Sequence, residues 1–497
     1  MTDEKIGNSM IFYVYPLFLF ILSTVHCLLH ADLTSLAKND VFPVFTTLNI
    51  DDALLLTKDQ LEYKDEAWGK KKRNHAGFSI TPFGQDADRG KTLKGSPCAA
   101  PTLPDQLTTC PGSDTALGDL TGRSGMIALL YGKLPAGHDT LPGGPATDAE
   151  GNIVGYLSYA FEQFFGKKPG EVTITDEGNI DPLQLFGYFS FPLNYRKRGV
   201  RFELTSVFLE DFGIRLQAGV SSIRQVVEAR INTTDFSSFE PADTLMTKDS
   251  VDEFLMDQVS NIAAQMGLDI GDHIQTSSEE IRINLFWRHA YELNDDNNKW
   301  SHFLLIPYFE ASGGFSPGKK NNPSQLFAVP FGNNGHTSVG VTTGVNFDFI
   351  ETIEVGGEIG FTHFFKRNVN NYRVPNSQFQ TTMFPFTTNV AVQPGNNWYF
   401  SARIAAFHFL GHLSMHFEWM VVDHKQDKIT LRTPDPNGAF LPNVLEKTTT
   451  FKAKLGNAGF NYDITPNIGL GFLWQIPFSQ RNSYRSSTVM AGINVTF

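Results

Sequence analysis

The side chains that could do chemistry in this chain are scattered. His408, His412 and His416 stand four residues apart, a spacing that on a helix would align three imidazoles and could gather a metal ion. Gly411 interrupts the run, and the flanking residues alternate like two strands and a turn, so the rings are expected to spread along a hairpin and no metal site is assigned. Cys98 and Cys110 bracket the Pro-rich stretch CAAPTLPDQLTTC. In an oxidising compartment such a pair closes a short loop by a disulfide. The sequence holds no nucleophile elbow, no phosphate-binding glycine loop and no H-E-x-x-H segment, so neither enzymatic activity nor a cofactor is predicted.

The remaining candidates are charges that alternate with apolar residues. Arg201, Glu203, Arg215, Arg282, Arg288, Glu310, Glu354, Glu358, Arg403, Glu418, Lys452 and Lys454 all fall opposite the apolar face of their segments. Around an aqueous passage such residues would line the wall and set ion preference. The competing expectation is that they pair across strands and solvate the wall. Both signs occur, which predicts a wide, weakly selective channel for small polar solutes rather than a strict ion filter.

Strands must position these residues. Of 497 residues 41% are apolar and only 19% charged, with 43 Phe and 43 Gly. After the N-terminus the apolar residues come in short alternating stretches, none long enough for a membrane helix. One lipid-facing and one wet side per strand fits that pattern. The net charge of -12 and pI of about 5.5 argue against a nucleic-acid partner.

The last segment, STVMAGINVTF, puts Val489, Ala491, Ile493, Val495 and Phe497 on one face and Thr488, Met490, Gly492, Asn494 and Thr496 on the other. Phe497 on this alternating strand, with Gly492 and Val495, resembles the assembly signal of bacterial outer-membrane β-barrels, although Met490 stands where those proteins usually carry a polar residue. The resemblance covers about ten residues and names a class. It implies export, recognition by the barrel-assembly machinery, an outer-membrane location among lipid and lipopolysaccharide, and an even strand number.

An all-β, antiparallel up-and-down barrel of about fourteen strands is therefore predicted, with twelve to eighteen open. The candidates are His75–Gln85, Arg123–Gly132, Leu185–Tyr195, Gly199–Leu209, Phe212–Ile223, Ile281–Tyr291, Phe303–Ser312, Ser338–Ile350, Ile353–Phe365, Trp398–Phe409, Leu413–Asp423, Thr448–Tyr462, Ile468–Phe478 and the last strand. Short turns at 350–352, 410–411 and 464–467 then fall at one end and long connections 313–337, 366–397 and 424–447 at the other. Residues 133–184 break this rule, since parity puts them with the short turns. Arg196-Lys197-Arg198 reads as a short outer connection whose cations could meet lipopolysaccharide phosphates.

Residues 1–31, with the apolar run Ile11–Leu29, read as a signal peptide, or else as a membrane anchor. Residues 32–74 form a periplasmic segment or plug, and 75–497 the barrel, with long loops at 86–122, 133–184 and 224–280. Within the last of these, Phe254, Leu255, Val259, Ile262 and Met266 at helical spacing predict a short amphipathic helix. A homo-oligomer is left open. The rival readings are a surface adhesin whose barrel only anchors loops, and a plugged channel for hydrophobic molecules.

Overall fold

In the computed structural model the described residues are 58–89, 135–136, 189–190, 193–227, 231–232, 260, 263–294, 302–349, 351–376, 384–447, 449–481 and 483–497. The alternation predicted from the sequence closes into an antiparallel barrel of twelve strands. These are β1 (Ala76–Arg89), β2 (Leu193–Val207), β3 (Phe212–Val227), β4 (Ile281–Arg288), β5 (His302–Phe315) and β6 (Ser338–Phe349). They continue with β7 (Ile353–Phe364), β8 (Asn397–Ala406), β9 (Leu413–His424), β10 (Phe451–Thr465), β11 (Ile468–Arg481) and β12 (Arg485–Thr496). Each strand pairs with its sequence neighbour, and β12 closes onto β1 from Thr496↔Gly77 to Arg485↔Arg89. No edge is left to recruit another chain.

Two short strands extend this cylinder. His273–Ser278 pairs with β3 beyond the start of β4, the two being separated by Glu279-Glu280. Tyr291–Asn294 pairs with β5 at the other end. Together they bring the sheet to fourteen strands, the number expected, although the candidates do not map onto it one to one. Leu185–Tyr195 and Gly199–Leu209 are not two strands: β2 runs unbroken through Gly199, and Arg196-Lys197-Arg198 lies within it rather than in a connection. Arg123–Gly132 lies outside the described residues. With β2 continuous, the connection from Arg89 to Leu193 begins and ends at the same end as the other long ones, and the parity violation at 133–184 disappears. The short turns 208–211, 350–352, 407–412 and 466–467 gather at the opposite end, here called the turn end.

The outward face carries Phe202, Leu204, Ile214, Leu216, Val339, Ile359, Phe400 and Ile493, all exposed. A belt of this extent is far larger than the apolar patches water-soluble proteins leave bare, and hydrocarbon is the medium that would cover it. At the loop end, Arg367–Arg373, Thr387–Gln393 and Lys428–Leu431 form a separate three-stranded sheet. Helix α2 (Pro442–Glu446) helps enclose its own core of Val374, Phe384, Val390, Val392, Ile429 and Leu445. Of the amphipathic helix expected in 224–280, only its end is described: 263–265 are helical and Met266 is buried.

Candidate functional site: the barrel lumen

Period-2 alternation turns every second side chain inward, and ten of the twelve predicted wall charges are found inside and buried: Arg201, Glu203, Arg215, Arg282, Arg288, Glu310, Glu354, Glu358, Arg403 and Glu418. Most of them are tied to one another. Arg215 lies 3.7 Å from Glu203 and 3.5 Å from Glu310, and Gln217 donates to Glu203 at 3.0 Å. Arg403 donates to Glu354 at 2.7 Å, Tyr308 to Glu358 at 2.7 Å, and Asn457 to Glu418 at 2.7 Å. In a low-dielectric interior an unpaired charge is costly, and alternating signs around the wall remove that cost.

Lys452 and Lys454 are a correction. Both are exposed on the outer face of β10, while Phe451, Ala453 and Leu455 point inward. The rule of apolar side out holds only within the lipid-facing band. Near the loop end the outside is wet and the inside is packed, so the polarity of the two faces reverses. His408, His412 and His416 also go separate ways. His408 sits at a turn 3.8 Å from Asp65 and 3.9 Å from Asp463, His412 faces the Tyr462 ring, and His416 is buried in the lumen. Among the described residues no three metal-type ligands come together. Cys98 and Cys110 lie outside the described residues.

A helix lies inside the barrel at the turn end. Helix α1 (Lys58–Ala67) has four consecutive buried residues, Leu61 to Lys64, which a surface helix with one apolar stripe cannot have; the barrel surrounds it. Leu61 packs on Ala405 and Phe407, and Tyr63 on Leu304 and Ile306. The Arg288 guanidinium lies 4.1 Å from the Tyr63 ring centre, and burial pushes the Tyr63 hydroxyl up to about 12, so the ring stays neutral. Glu62 accepts from the Thr496 hydroxyl at 2.6 Å, next to the barrel seam.

Lys64 holds the helix to the far wall. Its ammonium is 2.8 Å from Asp348 on β6, also pairs with Glu354 on β7, and lies over the Phe407 ring. The following basic run grips the turns themselves. Lys70 pairs with Glu351 at 2.8 Å, Lys71 donates to the Pro466 carbonyl at 3.3 Å, and Arg73 donates to the Glu210 carbonyl. Above the helix a cavity remains, lined by Tyr63, Lys64, Arg215, Glu310, Glu354 and Arg403 among others.

The inner face of β1 and of β8 to β12 also carries an apolar patch, set among polar side chains such as Gln85, Glu418, Asn457 and Thr488. Phe83, Met420, Val422, Leu455, Leu473 and Met490 form one buried cluster on the inner face, with Tyr399 packed against it. Inward glycines make room for these rings. A Cβ on Gly199 would meet the Phe83 ring at 2.7 Å, and one on Gly360 the Tyr399 ring at 2.0 Å. Aromatic rings therefore roof part of the space these glycines leave.

The loop end is narrowed by residues 316–337. Val329 and Phe331 pack with Ala87, Tyr195, Ile223 and Tyr484. Glu279 pairs with the buried Lys197 at 2.6 Å and accepts the Gly332 amide at 3.1 Å, while Glu280 accepts from the Ser338 hydroxyl at 3.0 Å. Arg373 locks the outer segments: Nε donates to the Pro323 carbonyl at 2.8 Å, Nη1 to Phe384 at 2.9 Å and Pro385 at 3.3 Å, and Nη2 to Met266 and Gly267 at 2.7 Å each. Sequence reasoning missed Lys64, Glu279, Glu280 and Arg373, and it placed Lys197 in an outer connection rather than inside the barrel. The adjacent acids interrupting a strand pair at 279–280 were the one available signal.

Twelve strands enclosing a lumen, wrapped in an apolar belt, define a membrane-spanning barrel. No family model and no curated protein matches the sequence. Among solved structures, an outer membrane channel from Pseudomonas putida F1 is 8% identical with a TM-score of 0.42, over 86% of this chain and 97% of that one. The NanC porin is 9% identical with a TM-score of 0.28, over 61% and 94%. The transport unit of the autotransporter AIDA-I from Escherichia coli is 7% identical with a TM-score of 0.31, over 89% and 99%. At such identities the likeness is one of barrel architecture, and what those proteins pass or bind is not carried over.

Proposed function

We propose that the chain is a bacterial outer-membrane channel, turn end in the periplasm, which its own N-terminal helix holds shut in this conformation. The observation that carries this reading is α1 enclosed in the lumen and latched through Lys64 to Asp348 and Glu354. A helix that served only as filler would be expected to present apolar side chains. This one also presents a cation, Lys64, to two buried carboxylates, a tie that can be broken. The solute best suited to the lumen is small and amphipathic, since charged side chains and the apolar patch of Phe83, Met420, Leu455, Leu473 and Met490 both face it. The wide, weakly selective passage for polar solutes is a second reading, favoured by the mixed signs of the ten buried wall charges. Export through a leader within 1–31 and the Cys98–Cys110 bridge belong to the same proposal.

Currents through the folded protein in planar bilayers, recorded with benzoate or with glucose added, test it. Interruptions of the open current by benzoate alone support the amphipathic reading. Equal effects of the two solutes move the assignment to the polar one, and a folded barrel that never opens, even with the latch removed, sinks the channel.

A further inference from the structure

We propose that the outer face of β2 and β3, just above the lipid-facing band, binds the phosphates of a lipid A-type glycolipid of the outer leaflet; this rests on the outer-membrane reading above. Along β2 the outward side chains run Ser206, Leu204, Phe202, Val200 and then Arg198 and Arg196. Along β3 they run Ile214, Leu216, Ala218, Val220, Ser222 and then Arg224. The change from apolar to guanidinium comes at the loop end of both strands, where an acyl layer gives way to headgroups.

Three cations stand on these two neighbouring strands. Arg196 and Arg224 are direct cross-strand partners, an arrangement that is unfavourable for like charges unless an anion lies between them. Asp86, opposite Arg196 on β1, is 3.7 Å from it and offsets one charge. Among the described residues no ion pair reaches Arg198 or Arg224, and both are exposed. Arg198 is paired with Gly84, whose missing side chain leaves open space on the outer face. Planar guanidinium forks beside such a dent suit a phosphate oxygen pair better than solvated lysines would.

The test uses the full-length, detergent-folded protein in native mass spectrometry, with diphosphoryl lipid A as the probe. Phosphate-free lipid A and inorganic pyrophosphate are the comparison ligands. Wild type is expected to retain diphosphoryl lipid A in preference to both. The triple substitution Arg196→Gln, Arg198→Gln, Arg224→Gln should weaken it about a hundredfold, at roughly 1 kcal/mol per cation near a membrane surface. The Arg→Lys triple should bind more weakly than wild type and more tightly than the Gln triple. Lys452→Gln with Lys454→Gln, on another part of the outer face, should leave binding unchanged.

Equal binding by wild type and the folded Gln triple overturns the site, as does equal retention of phosphate-free lipid A. Pyrophosphate binding as tightly as the lipid overturns the assignment to a membrane source. Density-gradient fractionation of cells reads location separately. A protein found in the outer membrane whose Gln triple binds normally overturns the site and leaves the location standing.

Discussion

Replacing Lys64 with Met should open the barrel. In the closed state the ammonium lies 2.8 Å from Asp348 and also contacts Glu354, with side-chain exposures of 11% and 1%. Glu354 keeps a second cation, Arg403, at 2.7 Å, whereas Asp348 would lose the cation it pairs with. Removing one member of a buried pair costs about 3–5 kcal/mol. Full burial of Leu61, among the largest apolar contributions of the helix, is worth about 1.5–3 kcal/mol. The lost pairing therefore outweighs the best single apolar contact, and the ratio of docked to undocked helix should fall by about two to four powers of ten. Single-channel recording reads this directly, as long openings in the variant against brief, rare ones in wild type. The double substitution Lys64→Met with Asp348→Asn removes both charges together and should return the channel to a mostly closed state. A folded Lys64→Met barrel as silent as wild type, or a double variant as open as the single, would refute the electrostatic latch.

Two further outcomes concern the loop end. Arg373→Met strips the donors from five carbonyls, and because burial lowers its pKa only to about 10 the wild-type group is charged at neutral pH; the loss should reach at least about 3 kcal/mol. Hydrogen exchange should then quicken in 263–271 and 384–393, with Arg373→Lys a poor substitute; unchanged protection in both segments would show that the clamp is dispensable. His273, whose pKa burial holds below its ordinary 6.5, stays neutral when packed but binds a proton in the open chain, so stability is lost as pH falls below about 6.5. Amide protection over 325–331, corrected for intrinsic rates, should drop between pH 7 and pH 5 in wild type but not in His273→Gln; identical behaviour of the two would exclude the imidazole as the cause.

The sequence by itself determined the class and most of the wall. Strict alternation from Ser338 to Phe365 and from Leu413 to Asp423 fixes which side chains share a face, because the strand period of two follows from backbone geometry alone. It placed Arg201, Glu354 and Arg403 on the face that proved to be inside. Phase failed at Lys452 and Lys454, where the membrane band ends and the polarity of inside and outside reverses; local pattern carries no depth coordinate. Within 32–74, read as a periplasmic segment or plug, the buried residues of α1 were illegible for a different reason. KDQLEYKDEA has no apolar stripe, so nothing local marks Leu61 to Lys64 as buried. Their burial depends on a ring of Asp348, Glu354, Phe407 and Thr496, drawn from strands hundreds of residues downstream. Arg373 and the Lys197–Glu279 pair were hidden likewise, since their partners are carbonyls and carboxylates distant in sequence. Alternation, a local property, decided which residues face a lumen; whether that lumen is open or filled was decided by contacts only the closed barrel creates.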